Sequence, residues 1–353
     1  MEIVGALDLH RSQITFKVVD LETGETQRGR IVPAEREALR RWLGRFVGLD
    51  AEFALEGTTG WRFVVEELER AGVRAHLAEP AETSARRGRK RRAKTDNADC
   101  DHLCELLLGD RLPESWIPPA HILELRTLVR LRKTLVEERT AWQERLQAQL
   151  YHQGVPRGLK ARTRGGRARL EEAELSAAGR TLIALGVRMI DRLDAELAPL
   201  DRRLGAFARR QPGCRALMTL FGVGPLISVC ILAELGDCRR FSSSSDAVRH
   251  AGLDVTVYQS DRKRAPGRLS HQGPALLRWA LFEAAQCACR TRSPDRPYYL
   301  EVKARIDHNR ACLSVARKLC RRAYHLLREL GDEALAPVPG GLEHEPPPLS
   351  LAA

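Results

Sequence analysis

Four carboxylates stand where metal-dependent phosphodiester chemistry would need them. Asp8 interrupts an apolar run over residues 3–9, Glu56 ends a second run over 52–56, and Asp96 and Asp99 lie three residues apart in KTDNADCDHLCELLL. An i, i+3 spacing puts the last two on one face of a helix. Hard oxygen donors in this number suit Mg2+ or Mn2+, and a pair of such ions stabilises the attacking and leaving oxygens of phosphodiester transfer. Each acid also has a local reading: Asp96 as a helix N-cap, Asp99 as a solvated first-turn carboxylate, Asp8 as a strand-end turn residue. The order of all four along the chain favours the metal reading.

A serine among cations is the other reactive group. Ser260 is followed by Arg262, Lys263, Arg264 and Arg268 in a loop bearing Gly and Pro, where positive charge would stabilise an alkoxide and a neighbouring phosphate together. No Ser/His/Asp hydrolase pattern surrounds it, and a polar loop serine is commonly inert. Two further segments read as phosphate contacts. Arg86, Arg87, Arg89, Lys90, Arg91, Arg92 and Lys94 place seven basic residues in nine, as a solvated loop beside the acids. Gly222-Val223-Gly224, followed by Pro225, looks like a helix-hairpin-helix turn in which glycines let backbone approach phosphate. A packing corner between two helices would have the same signature.

The elements that must position these groups follow from periodicity. Residues 3–9 read as a buried strand, 13–20 alternate with period two, Gly24 signals a turn and 26–32 make a third strand. A helix over 34–46, a strand over 52–56, a helix over 59–71 ended by Gly72 and a strand over 73–77 follow. This is the ribonuclease-H-like order with a central mixed sheet, whose first and fourth strands are neighbours, so Asp8 and Glu56 are expected to converge with the helical aspartates.

Long helices come next. Leu125, Val129, Leu135, Trp142, Leu146 and Leu150 share one face, and Ile190, Leu193, Leu197, Leu200, Leu204 and Phe207 recur at coiled-coil spacing. These helices would pack within the chain or form a dimerisation arm. Pro199 should kink or divide the second, and residues 154–169 read as a mobile loop between them. The expected organisation is α/β plus α: a nuclease domain over 1–110, a coiled-coil helical segment over 111–210, a mostly helical domain over 211–330 and a disordered Pro-rich tail over 331–353.

The totals agree with a nucleic-acid partner. The chain has 353 residues and a formal net charge of +12, which attracts a polyanion. No basic, long-apolar leader opens it and no run approaches the roughly 18 apolar residues of a membrane span, so the expected location is the cytosol, with no membrane partner. Of nine cysteines, Cys230, Cys287, Cys289 and Cys320 lie in apolar helical stretches and read as buried thiols. Cys100, His102 and Cys104 lack the second Cys or His pair that zinc spacing requires.

Taken together these segments resemble the DEDD transposases of insertion sequences, the IS-one-ten group. GALDLHRSQ is similar to the family's first aspartate motif, FALEGTTGW to its glutamate motif and KTDNADCDHLCEL to its paired-aspartate motif. GVGPLISVCILAELGD, SSSSDAVRHAGLDV and QSDRKRAPGRLSHQGPALLRWALFEAA are similar to its C-terminal domain. The resemblance implies a RuvC-like domain, a coiled-coil segment and a transposase domain. It assigns Asp8, Glu56, Asp96 and Asp99 as a metal-binding tetrad and Ser260 as the nucleophile of a phosphoserine intermediate. It further implies double-stranded DNA, at element ends and target, as substrate. A structured noncoding guide RNA and a homo-oligomer, dimer or tetramer, are implied too, with the tetrad of one subunit working beside the serine of another. The chain departs from the family pattern at Asp261, where many members have glycine, and at Asp254-Val255, where many have proline.

Two other functions fit parts of the chain. A water-using nuclease such as a junction resolvase would need the tetrad but no Ser260 nucleophile, and leaves some 240 following residues without a purpose. A non-catalytic nucleic-acid scaffold would use the basic run and the glycine turn and leaves the four acids unexplained.

Overall fold

The computed structural model describes residues 2–87, 95–155, 158, 162–256, 259–260, 263–264, 267–270 and 272–341; at Thr256, Gln259, Ser260, Lys263, Arg264 and Arg268 it describes the backbone alone. The chain divides after Ile117 into two compact units.

The first unit is a five-stranded mixed sheet with helices on its faces. Strands β1 (Glu2–Leu9), β2 (Ile14–Asp20), β3 (Thr26–Ile31), β4 (Asp50–Glu56) and β5 (Arg74–Ala78) lie in the order β3-β2-β1-β4-β5. The first three pair antiparallel, whereas β4 runs parallel to β1 and β5 parallel to β4. Alternation put the strands within about two residues of these bounds, and β1 and β4 are the neighbours that the ribonuclease-H-like order demands.

The two faces of this sheet carry side chains of different size. On one, Ile3, Leu7, Ile14, Phe16, Phe53 and Leu55 pack with Leu39, Trp42 and Leu43 of α1 (Arg36–Leu43) and Val64, Val65 and Leu68 of α2 (Trp61–Arg70). On the other, Ala6, Ala54 and Ala78 meet Cys100, Leu103 and Cys104 of α4 (Asp96–Leu108), which follows the short α3 (Pro80–Ala85). Small residues on both sides let α4 lie close to the strands. Side chains alternate along a strand, so Asp8 shares the face of Ala6 and Glu56 that of Ala54. Because β1 and β4 are parallel with Leu7 beside Leu55 in register, both acids emerge at the same end of the sheet, on the α4 side.

The second unit is built from α5 (Ala120–His152), α6 (Arg164–Glu172), α7 (Ala177–Arg210), α8 (Pro212–Leu217), α9 (Pro225–Leu235), α10 (Ser244–His250), α11 (Ala275–Gln286), α12 (Arg296–Arg305) and α13 (His308–Leu330). Leu146 and Leu150 of α5 bury against Ile183 and Ile190 of α7 and Leu170 of α6. Glu234 on α9 is buried, and Arg130 of α5 donates to both its carboxylate oxygens at 2.8 and 2.9 Å, neutralising the charge and fixing the two helices together.

Several expectations need correction here. Pro199 does not divide α7, which is continuous from Ala177 to Arg210. An interior proline costs about 3 kcal/mol, whereas burying Leu197, Leu200 and Leu204 around it contributes about 1.5–3 kcal/mol each. Residues 164–169, expected in a mobile loop, start α6: the Thr163 side chain caps the helix by accepting from the Gly166 amide at 3.1 Å, and Leu170 buries. The tail over 331–341 is ordered as well. The Gln211 amide donates to the carbonyls of Ala334 and Ala336 at 2.9 and 3.3 Å, and Ala334 and Val338 are buried. The rest of the tail, 342–353, lies outside the described residues. Cys230 and Cys320 are buried as expected, but Cys287 is half-buried and Cys289 exposed, because both sit in a 3-10 turn past the end of α11.

The glycine turn between α8 and α9 is a packing corner at its first glycine. Gly222 has a φ of +89°, and a Cβ there would meet the Ala284 carbonyl oxygen of α11 at 2.4 Å. Gly224 has φ −89° and open space where its Cβ would be. Gly222→Ala is therefore expected to lower unfolding stability by about 2–4 kcal/mol through strain and overlap, and Gly224→Ala to stay within about 1 kcal/mol of the unsubstituted chain. Urea unfolding of the two variants separates them; equal costs would contradict the packing assignment.

Candidate functional site

Helix α4 delivers its aspartates to the sheet end by its own local chemistry. The Thr95 hydroxyl accepts from the Ala98 amide at 3.3 Å, starting the helix at Asp96, so the cap is Thr95 rather than Asp96. Asp101 pairs with Lys17 of β2 at 2.8 Å and Arg28 of β3 at 2.7 Å, anchoring the first turns across the strands. Asp96 and Asp99 thus face Asp8 and Glu56.

His10 and Arg87 each contact two of the four acids. His10, just beyond β1, holds its Nε2 3.1 Å from Asp8 Oδ2 and 3.5 Å from Asp96 Oδ1, and Gln13 donates to the other oxygen of Asp96 at 3.2 Å. Arg87 forms a close ion pair with Asp99 and reaches Glu56 at 3.8 Å. Burial holds the Asp8 carboxyl above its usual range; His10 opposes that shift, and the charges of Asp99 and Asp96 add to it.

The donor set fits a divalent cation. Four carboxylates supply hard oxygens, and ligand atoms of Asp8, His10 and Asp96 all lie within 4.8 Å of one another. Thr15, opposite Asp8 across β1 and β2 and 1% exposed, has a buried hydroxyl with no hydrogen-bond partner among the described residues. Directly opposed residues share a face, so that hydroxyl is available to a water or ligand on a bound ion. Cys100 donates to the Thr15 carbonyl, and burial pushes the thiols of Cys100 and Cys104 up to about 12 and about 11, so both remain protonated packing groups. His102 contacts the Thr83 carbonyl at 3.1 Å.

His10, Gln13, Thr15 and the inward role of Arg87 were not read from the sequence. His10 follows the last residue of β1, where alternation no longer dictates direction, and Arg87 was counted with its basic neighbours as a nucleic-acid contact. Of that run, Arg86 donates to the Arg111 carbonyl and Arg87 binds the acids; Arg89, Lys90, Arg91, Arg92 and Lys94 lie outside the described residues.

Ser260 belongs to the second unit. In the segment around Ser260, expected as a loop, the described residues form two short ladders, β6 (Val255–Thr256) with β9 (Arg268–Leu269) and β7 (Gln259–Ser260) with β8 (Lys263–Arg264). Ser260 pairs in register with Lys263. Flanking these ladders, the Ser270 hydroxyl donates to the Asp254 carboxylate, and Arg317 of α13 donates to the Leu253 carbonyl at 2.6 Å. Asp261 and Arg262 lie outside the described residues, as do the side chains of Ser260, Lys263, Arg264 and Arg268.

Arg87 and a bound cation would satisfy the same carboxylates. Arg87→Ala is expected to lower the stability of the metal-free chain by about 1 kcal/mol, the range of a partly buried ion pair, and the deficit should close when Mn2+ is added. Thermal unfolding with and without the ion measures both; a deficit of the same size in both conditions would contradict the shared role.

Comparison with known proteins matches the same regions. Residues 5–153 match the model of the DEDD transposase family of IS110, and residues 214–300 match that of the transposase IS116/IS110/IS902 family. A putative transposase, y4rJ, of Sinorhizobium fredii is 31% identical over 62% of this chain and 60% of its own length. The transposase for insertion sequence element IS1111A of Coxiella burnetii is 26% identical over 55% and 56%, and a probable family 20 transposase of Pseudomonas aeruginosa 24% identical over 66% and 72%. The chain thus spans a little over half the length of the first two relatives. With both halves of the family's architecture matched in order, and with the acids of the matched motifs gathered at one end of the sheet, the chain belongs to the IS116/IS110/IS902 family of DEDD transposases.

Proposed function

We propose that this protein is the recombinase of an insertion sequence, which cuts double-stranded DNA at the element's ends and at a target and rejoins the strands through a phosphoserine intermediate. The convergence of Asp8, Glu56, Asp96 and Asp99 at one sheet end carries the reading. When bound there, Mg2+ or Mn2+ supplies positive charge for the attacking and leaving oxygens of phosphodiester transfer.

The chain's own groups divide the remaining work. The tetrad holds the ion by its carboxylate oxygens. Ser260 Oγ attacks a DNA phosphorus, forming one P–O bond as the bond to a deoxyribose oxygen breaks, and the departing oxygen takes up a proton. A hydroxyl of another DNA end then attacks the phosphoserine and returns Ser260 to its starting form. Arg89 to Arg92, Lys94, Arg262, Lys263, Arg264 and Arg268 hold backbone phosphates, and the open face at Gly224 admits one at the start of α9. A structured noncoding RNA from the element's flank guides the choice of DNA, and a dimer or tetramer in the bacterial cytoplasm brings the tetrad of one subunit to the serine of another.

The test is a denaturing gel of protein incubated with Mg2+, DNA carrying the joined ends, target DNA and RNA transcribed from the flank. The unsubstituted chain is expected to form a covalent protein–DNA adduct that needs metal and RNA. Ser260→Ala should form none. Asp8→Ala and Asp99→Ala should lose recombination by at least about a hundredfold while keeping DNA affinity within about threefold. Cleavage without an adduct would replace this reading with the water-using nuclease, and an adduct surviving in Ser260→Ala would move the nucleophile to another residue.

A further inference from the structure

The acid cluster is chemically asymmetric. Glu56 and Asp99 contribute oxygen alone and meet at Arg87, whereas Asp8 and Asp96 meet at an imidazole nitrogen. A single atom, His10 Nε2, serves both carboxylates, at 3.1 and 3.5 Å. Ligand atoms of Asp8, His10 and Asp96 all lie within 4.8 Å of one another, close enough to share one ion. The ring is about half exposed, with side-chain accessibility of 49%, so packing does not dictate its orientation; the two carboxylates do. Thr15, paired in register with Asp8, has a buried hydroxyl without a partner among the described residues.

We propose that His10 is a direct metal ligand, completing with Asp8 and Asp96 a mixed nitrogen–oxygen site selective for a transition-metal dication such as Mn2+ over Mg2+. The inference rests on the metal reading of the tetrad and goes beyond it. An all-carboxylate site accepts Mg2+ readily, since hard oxygen suits it and it dehydrates reluctantly. An imidazole nitrogen is a softer donor that contributes little to Mg2+ and more to Mn2+ and the later divalent metals. A neutral ligand also lowers the negative charge around this ion relative to a third carboxylate, so selectivity comes from donor type and not from total charge. Without metal, Nε2 makes the same approach as a hydrogen-bonding partner of the two acids.

The test uses the full chain. Free Mn2+ is followed by electron paramagnetic resonance during titration, Mg2+ is introduced as a competitor, and bound Mn2+ is examined by spin-echo spectroscopy for coupling to a ligand nitrogen. The unsubstituted chain is expected to show nitrogen coupling. His10→Ala should lose it, bind Mn2+ about ten- to a hundredfold more weakly and change Mg2+ affinity by less than about threefold. His10→Asn, which keeps a hydrogen-bonding side chain without the imidazole, should behave like His10→Ala. Equal losses of Mg2+ and Mn2+ affinity, or rescue by Asn, would make His10 a positioning residue and overturn the proposal. Unchanged Mn2+ affinity in His10→Ala alongside its loss in Asp8→Ala would overturn the histidine ligand and leave the tetrad standing. If the unsubstituted chain binds neither ion, both readings fall.

Discussion

The closeness of one helix to one sheet face is the constraint on which the site depends. Ala6, Ala54 and Ala78 lie on three adjacent strands and meet Cys100, Leu103 and Cys104 of α4, while the opposite face of the same strands carries Phe53, Leu7 and Leu55. A larger residue at any of the three alanines would push the helix outward, and interiors absorb added volume poorly. The four acids need that approach because they come from three separate elements, and a carboxylate side chain reaches only a few ångströms. Parallel pairing of β1 and β4 adds the second requirement by bringing Asp8 and Glu56 out at the same end.

Four carboxylates held this close repel one another, and the protein places an imidazole and a guanidinium between them. His10 bridges Asp8 and Asp96, and Arg87 bridges Asp99 and Glu56. Asp8 still titrates above its ordinary range, since burial disfavours its charge and its acidic neighbours add to that. The arrangement is complete enough to be stable, yet its most buried hydroxyl, that of Thr15, lacks a partner among the described residues. In such a site a bound dication would compete with Arg87 for the same carboxylates.

Much of this organisation was legible in the residues, because strand alternation and helical periodicity are dictated by which side must be dry. The five strands, the start of α4 and the four acids followed from those patterns, as did α11 after Pro274. What escaped has a common cause. His10 and Arg87 lie past the ends of regular elements, where no period constrains direction, and Thr15 looked like any other strand residue. Gly222 signalled a glycine turn, but only the carbonyl of Ala284 decides that the turn serves packing. α7 continues through Pro199 rather than being divided there, and residues 164–169 were misread as loop, because local propensity was outweighed by buried leucines, a tertiary effect. Residues 331–341 were read as tail from their composition, while Gln211, some 120 residues earlier, supplies the hydrogen bonds that order them.

The proposed metal site can be tested most directly in crystals of the full chain soaked in Mn2+, using anomalous scattering near the manganese edge. The account predicts anomalous density bounded by the carboxylates of Asp8, Glu56, Asp96 and Asp99 at the shared end of β1 and β4. Manganese bound elsewhere, or none at this position while the four acids keep their places beside His10 and Arg87, would contradict it.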